Sequence, residues 1–165
     1  MVEIGASSAT IDMPIEHLMA CHRRIEQRLD TLVRAAGHLE EDRAAALEAI
    51  QKSLAFLDSS GVQHTEDEEA SLFPRLRARL TPDQIAYLDS LEAQHVRAEG
   101  ILCRLKQLVH SGHFEQYRAC AEELRSLYRE HIRSEDTILT ALAKQSISES
   151  ELMEISREMR VRRGL

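Results

Sequence analysis

The chain has 165 residues, 43% of them hydrophobic and 30% charged, which suits one domain with its own apolar core and excludes a disordered chain. A formal net charge of -7 argues against a nucleic-acid or anionic-membrane partner, and no apolar run approaches the roughly 20 residues of a transmembrane helix. The opening MVEIGASSATIDMP lacks the basic and apolar regions of a signal peptide, and Cys21, Cys103 and Cys120 cannot all pair within one chain. A cytoplasmic protein with reduced thiols is therefore expected.

Ala, Leu, Glu and Arg dominate, Val is scarce, and no alternating strand pattern occurs. The expected fold class is all-α, an up-down-up-down four-helix bundle with a short C-terminal tail helix. The expected division is a lead-in over 1–12, the bundle over 13–145 and the tail helix over 146–165. Helix A starts near Pro14, with the stripe Ile15, Leu18, His22, Ile25, Leu29, Leu32, Ala36 in steps of three and four, and with Gly37 as its cap. Helix B starts near Glu41 and follows Leu47, Ile50, Leu54, Leu57, Gly61, His64, Glu68, Leu72 without a break at Gly61. Pro74 should end or kink it.

Thr81-Pro82-Asp83-Gln84 reads as a capping box that opens helix C, whose stripe is Leu88, Leu91, His95, Glu99, Leu102, Leu105, Val109. Ser111-Gly112 closes it. Helix D follows Tyr117, Ala121, Leu124, Tyr128, His131, Glu135, Ile138, Leu142. A tail helix opens at Ser148 with Glu151 three residues on, and ends in the basic stretch 157–163, read as a solvated face.

Seven polar residues interrupt these apolar stripes: His22, His64, Glu68, His95, Glu99, His131 and Glu135. Burying ionisable groups without a partner is costly, and a metal centre would give all seven a common one. His-x-x-x-Glu puts both side chains on one helix face. With 20 Glu in 165 residues, eight His should yield about one such pair by chance, yet four occur: 22/26, 64/68, 95/99 and 131/135. Glu26 is set aside because Ile25 fills the core position. In an up-down-up-down bundle the other motifs fall at similar depth, counted at 1.5 Å per residue. The set exceeds what one tetrahedral zinc takes and suits two carboxylate-bridged ions, iron first, with manganese or zinc as alternatives.

Asp136 competes with Glu135 as the helix D carboxylate. His17 is read as a surface or supporting residue and Glu69 as solvated. His38, His110 and His113 are expected to be exposed, and Tyr117 and Tyr128 to pack in the core. Glu92/His95 has the Glu-x-x-His spacing of ferritin-like di-iron proteins, but no second such pair accompanies it.

The segments IEHLMACHRRIEQRL, HTEDEEASLFP, EAQHVRAEGIL and HIRSEDTILTALA resemble the hemerythrin-like (HHE cation-binding) domain family over about residues 14–145. The resemblance implies a non-haem di-iron centre with Glu68 and Glu135 as bridging carboxylates and the four His as terminal ligands. Oxygen-carrying members place a second His where this chain has Glu99. That anion moves the expectation from reversible O2 carriage towards iron handling or the sensing of O2, NO or peroxide. Two alternatives stand beside it: an enzyme that reduces peroxide or O2, and a metal-free interaction bundle with a buried polar network.

Overall fold

The computed structural model describes residues 11–165, and every regular element among them is helical. Nearly all of the expected lead-in lies outside the described residues. Five rods follow: α1 (Pro14–Ala36), α2 (43–77), α3 (Pro82–Ser111), α4 (114–146) and α5 (Glu149–Arg162). α1 packs on α2 and α4, and α3 on α4, while α5 lies against α1 and the second half of α2.

α1 begins with Pro14, whose fixed φ suits a first turn, and buries Ile15, Leu18, His22, Ile25, Leu29 and Leu32 as the stripe requires. Its last buried residue is Ala35, not Ala36. Gly37 caps it in a right-handed conformation, so no left-handed turn is needed there.

α2 starts at Arg43, where the Asp42 side chain accepts the Ala45 N–H at 3.2 Å. It runs unbroken to Arg77 but contains two widened π-turns, Leu57–Gly61 and Asp67–Leu72. Pro74 does not end it. In a plain α-helix the proline ring would meet the carbonyl four residues back. Here Pro74 directly follows a widened turn, in which the Phe73 N–H reaches back five residues to the Glu68 carbonyl.

The Thr81/Gln84 box opens α3: the Thr81 N–H donates to Gln84 Oε1 at 3.0 Å, and Thr81 Oγ1 accepts the Gln84 N–H at 3.4 Å. Gly112 closes it with a φ of 73°, where a side chain would be strained. α4 is α-helical over Phe114–Ser134, widens into a π-turn over Glu135–Leu139 and resumes over Thr140–Ser146. The widening moves the apolar stripe by one residue: Leu139 is 4% exposed, whereas Ile138, placed on the stripe by its spacing, is 48% exposed. A second capping box, Ser148/Glu151, opens α5.

The core divides into two apolar clusters. One gathers Ile25, Leu29 and Leu32 of α1, Ile50 and Leu54 of α2, Ile101 and Leu105 of α3, and Tyr117 and Leu124 of α4. The other gathers Ile15 and Leu18, Leu72 and Leu76, Leu88 and Leu91, Leu139 and Leu142, together with Ile155 and Met159 of α5. Each such side chain, fully buried, contributes about 1.5–3 kcal/mol. On each of the four long rods a buried polar residue of the interrupted stripe lies between the two clusters: His22 on α1, His64 and Glu68 on α2, His95 on α3 and Glu135 on α4.

Candidate metal centre

α1 supplies His22, α2 His64 and Glu68, α3 His95, and α4 His131 and Glu135. All six are buried, Glu68 completely. Their donor atoms form two groups, His22-His64-Glu68-Glu135 and Glu68-His95-His131-Glu135, each with one donor atom per residue and all within 4.8 Å of one another. Both carboxylates belong to both groups. The oxygens of Glu68 divide between them. Oε1 lies 3.4 Å from His64 Nε2 and 3.8 Å from His22 Nε2, and Oε2 lies 3.4 Å from His95 Nε2. Glu135 Oε2 lies 3.1 Å from His22 Nε2 and 3.2 Å from His131 Nε2.

Three of the imidazoles are held from outside through Nδ1. His22 Nδ1 donates to Asp136 Oδ1 at 2.7 Å, and Arg23 in turn pairs with Asp136. His95 Nδ1 donates to Glu69 Oε1 at 2.8 Å, and His131 Nδ1 to Gln94 Oε1 at 2.8 Å. An imidazole whose Nδ1–H donates outward is held with Nε2 facing inward, the nitrogen a metal would take once any proton on it is displaced.

Of the inward atoms, His95 Nε2 and His131 Nε2 lie 3.0 Å apart and share a hydrogen bond, but most of the others have no partner. Among the described residues His22 Nε2, both nitrogens of His64 and all four carboxylate oxygens of Glu68 and Glu135 are buried without an aligned partner. Unpaired polar atoms at this depth are costly and rare, and a cation would satisfy them together. The donor set therefore fits a metal by its chemistry: imidazole and carboxylate, in two groups that share an edge.

The electrostatics point the same way. Burial alone would push the His22 pKa down, but the flanking Glu135 and Glu68 outweigh it and hold it up at about 11. Burial likewise opposes protonation of His95, yet Glu68, Glu69 and Glu135 raise it to about 9. Burial would raise Glu68, but His64, His22 and His95 hold it well below the usual carboxylate range. Glu135 is also lowered, against both burial and the charge of Glu68, by His131 and His22. His64, wholly enclosed, is pushed down by burial. Both carboxylates are thus anionic in the metal-free chain, with His22 and His95 carrying the compensating protons.

Glu99 stands apart from this assembly. It is exposed on α3 and belongs to neither group. From His95 the buried stripe steps by three to Ala98 and then to Ile101 and Leu105, which turns Glu99 outward. The argument from Glu99 against reversible O2 carriage falls with it. Asp136 does not replace Glu135 either: it holds His22 from behind. Glu69, read as solvated, is half-exposed but holds His95. Gln94 was not singled out at all. These outer partners reach across from other helices, so stripe reasoning within one helix does not find them; their one signal is adjacency to a ligand (Glu68/Glu69, Glu135/Asp136, Gln94/His95).

His17 is fully buried on α1 with its Nε2 3.6 Å from Cys21 Sγ, so the surface reading is corrected. Burial, helped by Arg163, holds its pKa down at about 4. His38, His110 and His113 are exposed, as expected. Tyr117 packs in the apolar core, and Tyr128 meets His131 edge-on at 6.1 Å between ring centroids.

Comparison with known proteins matches residues 13–143 to the hemerythrin HHE cation binding domain. An uncharacterized protein of Haemophilus influenzae is 26% identical over 161 residues, an alignment that covers 94% of this chain and 92% of that protein.

Proposed function

Since the chain belongs to the hemerythrin HHE cation binding domain family, we propose that His22, His64, Glu68, His95, His131 and Glu135 hold two metal ions, iron by preference, bridged by the two glutamates. The observation that carries this reading is the sharing of Glu68 and Glu135 by both donor groups. The frame is read as an up-down-up-down four-helix bundle. Its support is that the first half of α1 and the second half of α2 enter one apolar cluster, and their other halves enter the other. α3 and α4 repeat the alternation.

Bound iron would supply reversible one-electron chemistry towards O2, NO or peroxide. The chain's own residues prepare the place for it. Each group offers four protein donors that would hold one ion and leave it accessible to small ligands. A cavity of about 10 Å³ adjoins His22, Glu68 and Glu135 and is otherwise lined by Ile15, Leu18, Leu72, Leu139 and other mostly apolar side chains. It admits about one water-sized group. So small a space supports a small ligand and disfavours an organic substrate. With Glu99 outside the donor set, O2 binding stands beside sensing, iron handling and peroxide or O2 reduction. The three free cysteines fit a cytoplasmic protein.

Metal analysis after anaerobic iron loading should give about two ions per chain, and aerobic absorption spectra should carry carboxylate-bridged ferric bands. A reproducible single ion, or tight zinc alone, overturns the dinuclear reading.

A further inference from the structure

The family match ends at residue 143, yet the chain adds α5 and docks it on α2. Ile155 and Met159 of α5 are fully buried in the apolar cluster shared with Ile15 and Leu76. Its last turn reaches the ligand-bearing part of α2. Arg162 Nη1 donates to Asp67 Oδ1 at 2.6 Å, and Arg163 donates to both oxygens of the same carboxylate, at 2.6 and 3.2 Å. Arg162 also donates to Ser71 Oγ, and its carbonyl accepts from Gln63 Nε2 at 3.5 Å.

Asp67 is wholly buried and opens the π-turn that presents Glu68; Ser71 lies in the same turn. Gln63 precedes His64 as Asp67 precedes Glu68. The end of α5 thus touches the neighbour of each ligand on α2. A buried carboxylate that loses its cationic partner is strongly destabilising, whereas a docked pair of guanidinium forks satisfies both its oxygens. The π-turn with an aspartate at its head is therefore sound only while α5 is in place.

We propose that α5 is a latch on the metal centre. Arg162, Arg163 and Asp67 are positioning residues that hold the Glu68 turn and so set how fast bound metal exchanges. This rests on the two-metal reading above, and the test separates the two.

The full chain is compared with three variants: Arg162→Gln/Arg163→Gln, the same pair combined with Asp67→Asn, and Arg79→Gln. The last removes a pair between Arg79, in the turn after α2, and Glu151 at the other end of α5. In the metal-free proteins, hydrogen exchange is followed over residues 62–72 and over 98–109. After anaerobic iron loading, transfer of Fe(II) to ferrozine is timed. The double arginine variant should exchange at least tenfold faster over 62–72 with 98–109 unchanged, and should release iron at least tenfold faster. Adding Asp67→Asn should restore most of the protection, and Arg79→Gln should behave as wild type. Unchanged exchange over 62–72, or a rise spread evenly over both segments, overturns the latch, as does iron release at the wild-type rate from a loaded double variant. If wild type itself keeps no iron, the two-metal reading fails, and the exchange result alone then decides whether α5 holds the turn.

Discussion

The motif His-x-x-x-Glu occurs at 64/68 on α2, 131/135 on α4 and 95/99 on α3, but only the first two bring their carboxylate to the centre. The difference lies in the helix, not in the spacing. At 3.6 residues per turn, a step of four overshoots a straight stripe by about 40°, and two such steps in succession by about 80°. α3 already takes a step of four from Leu91 to His95, so a plain α-helix must next step by three, which it does at Ala98. α2 runs 64, 68, 72 and α4 runs 131, 135, 139, each with two steps of four. A widened turn at the carboxylate absorbs the excess: the Glu68 and Glu135 carbonyls accept the N–H five residues on, from Phe73 and Thr140. Such π-turns often mark functional sites. Equal spacing therefore turns a carboxylate into the core only where the backbone can afterwards regain its apolar stripe.

The sharpest way to break this comparison is to neutralise the three glutamates in turn. Glu68→Gln or Glu135→Gln should at least halve the metal retained per chain, by elemental analysis. Glu99→Gln should leave it unchanged, and loss of metal from that variant would mean that α3 also supplies a carboxylate.

Removing the metal should uncover what the polar layer costs. At a thousandfold excess over Kd, bound metal stabilises the fold by about 4 kcal/mol, so chelation should lower Tm by roughly 10 °C for a chain of this size. Calorimetry with matched protein would show it; equal melting temperatures would mean that the layer is satisfied without an ion.

The outer contacts are shared evenly: α3 supplies Gln94 behind His131, α2 supplies Glu69 behind His95, and α4 supplies Asp136 behind His22. Gln94→Ala, Glu69→Ala and Asp136→Ala should each weaken metal binding about 10- to 100-fold, measured by competition with a chelator. Equal affinities would reduce these contacts to incidental ones.

Proton release offers a smaller effect of definite sign. In the metal-free chain His22 and His95 keep protons up to about pH 11 and 9, against 6.5 for a free imidazole. Their contribution to metal-free stability is complete below pH 6.5 and is lost as pH rises through 9 to 11. A cation must displace both protons. Loading at pH 7 in weak buffer should release about two protons per chain, and affinity should climb with pH towards 9. A pH-independent affinity would contradict this assignment of charges.

The smallest test concerns the backbone alone. Gly100 lies in the plain α3 with open space where a Cβ would stand, whereas Gly61 ends a widened turn, where an added Cβ would stand 3.8 Å from the Leu57 side chain. Gly100→Ala should raise stability by about 0.5–1 kcal/mol, a shift of about 2–4 °C. Gly61→Ala should gain less.

Much of this was legible beforehand, for a physical reason. Apolar stripes and end caps are local signals, so the Thr81/Gln84 and Ser148/Glu151 boxes, the start of α1 and the polar interruptions at His22, His64, Glu68, His95, His131 and Glu135 stand in the sequence itself. Contacts between helices do not. Asp136 supports His22 across 114 positions, and Arg163 holds Asp67 across 96. Stretch 157–163, read as solvated, therefore hid two half-buried arginines that pair with the buried Asp67. The successive steps of four were visible at 64, 68 and 72, but a helix assumed to be regular offered no reason to weigh them.

Pro74 gives the widened turn of α2 a further property. A π-turn is an extra residue in an otherwise periodic lattice, and like a dislocation in a crystal it could slip along the rod by handing its surplus carbonyl to a neighbour. Pro74 pins it on one side. It has no N–H to join a regular α ladder, and such a ladder would drive its ring into the Ala70 carbonyl at a cost of about 3 kcal/mol. α4 has no proline there; the Thr140 hydroxyl instead donates to the Glu135 carbonyl at 3.1 Å, a softer pin. The defect that carries Glu68 is consequently locked in register by covalent geometry, whereas the one that carries Glu135 is held by a hydrogen bond that a single methyl-for-hydroxyl exchange would remove.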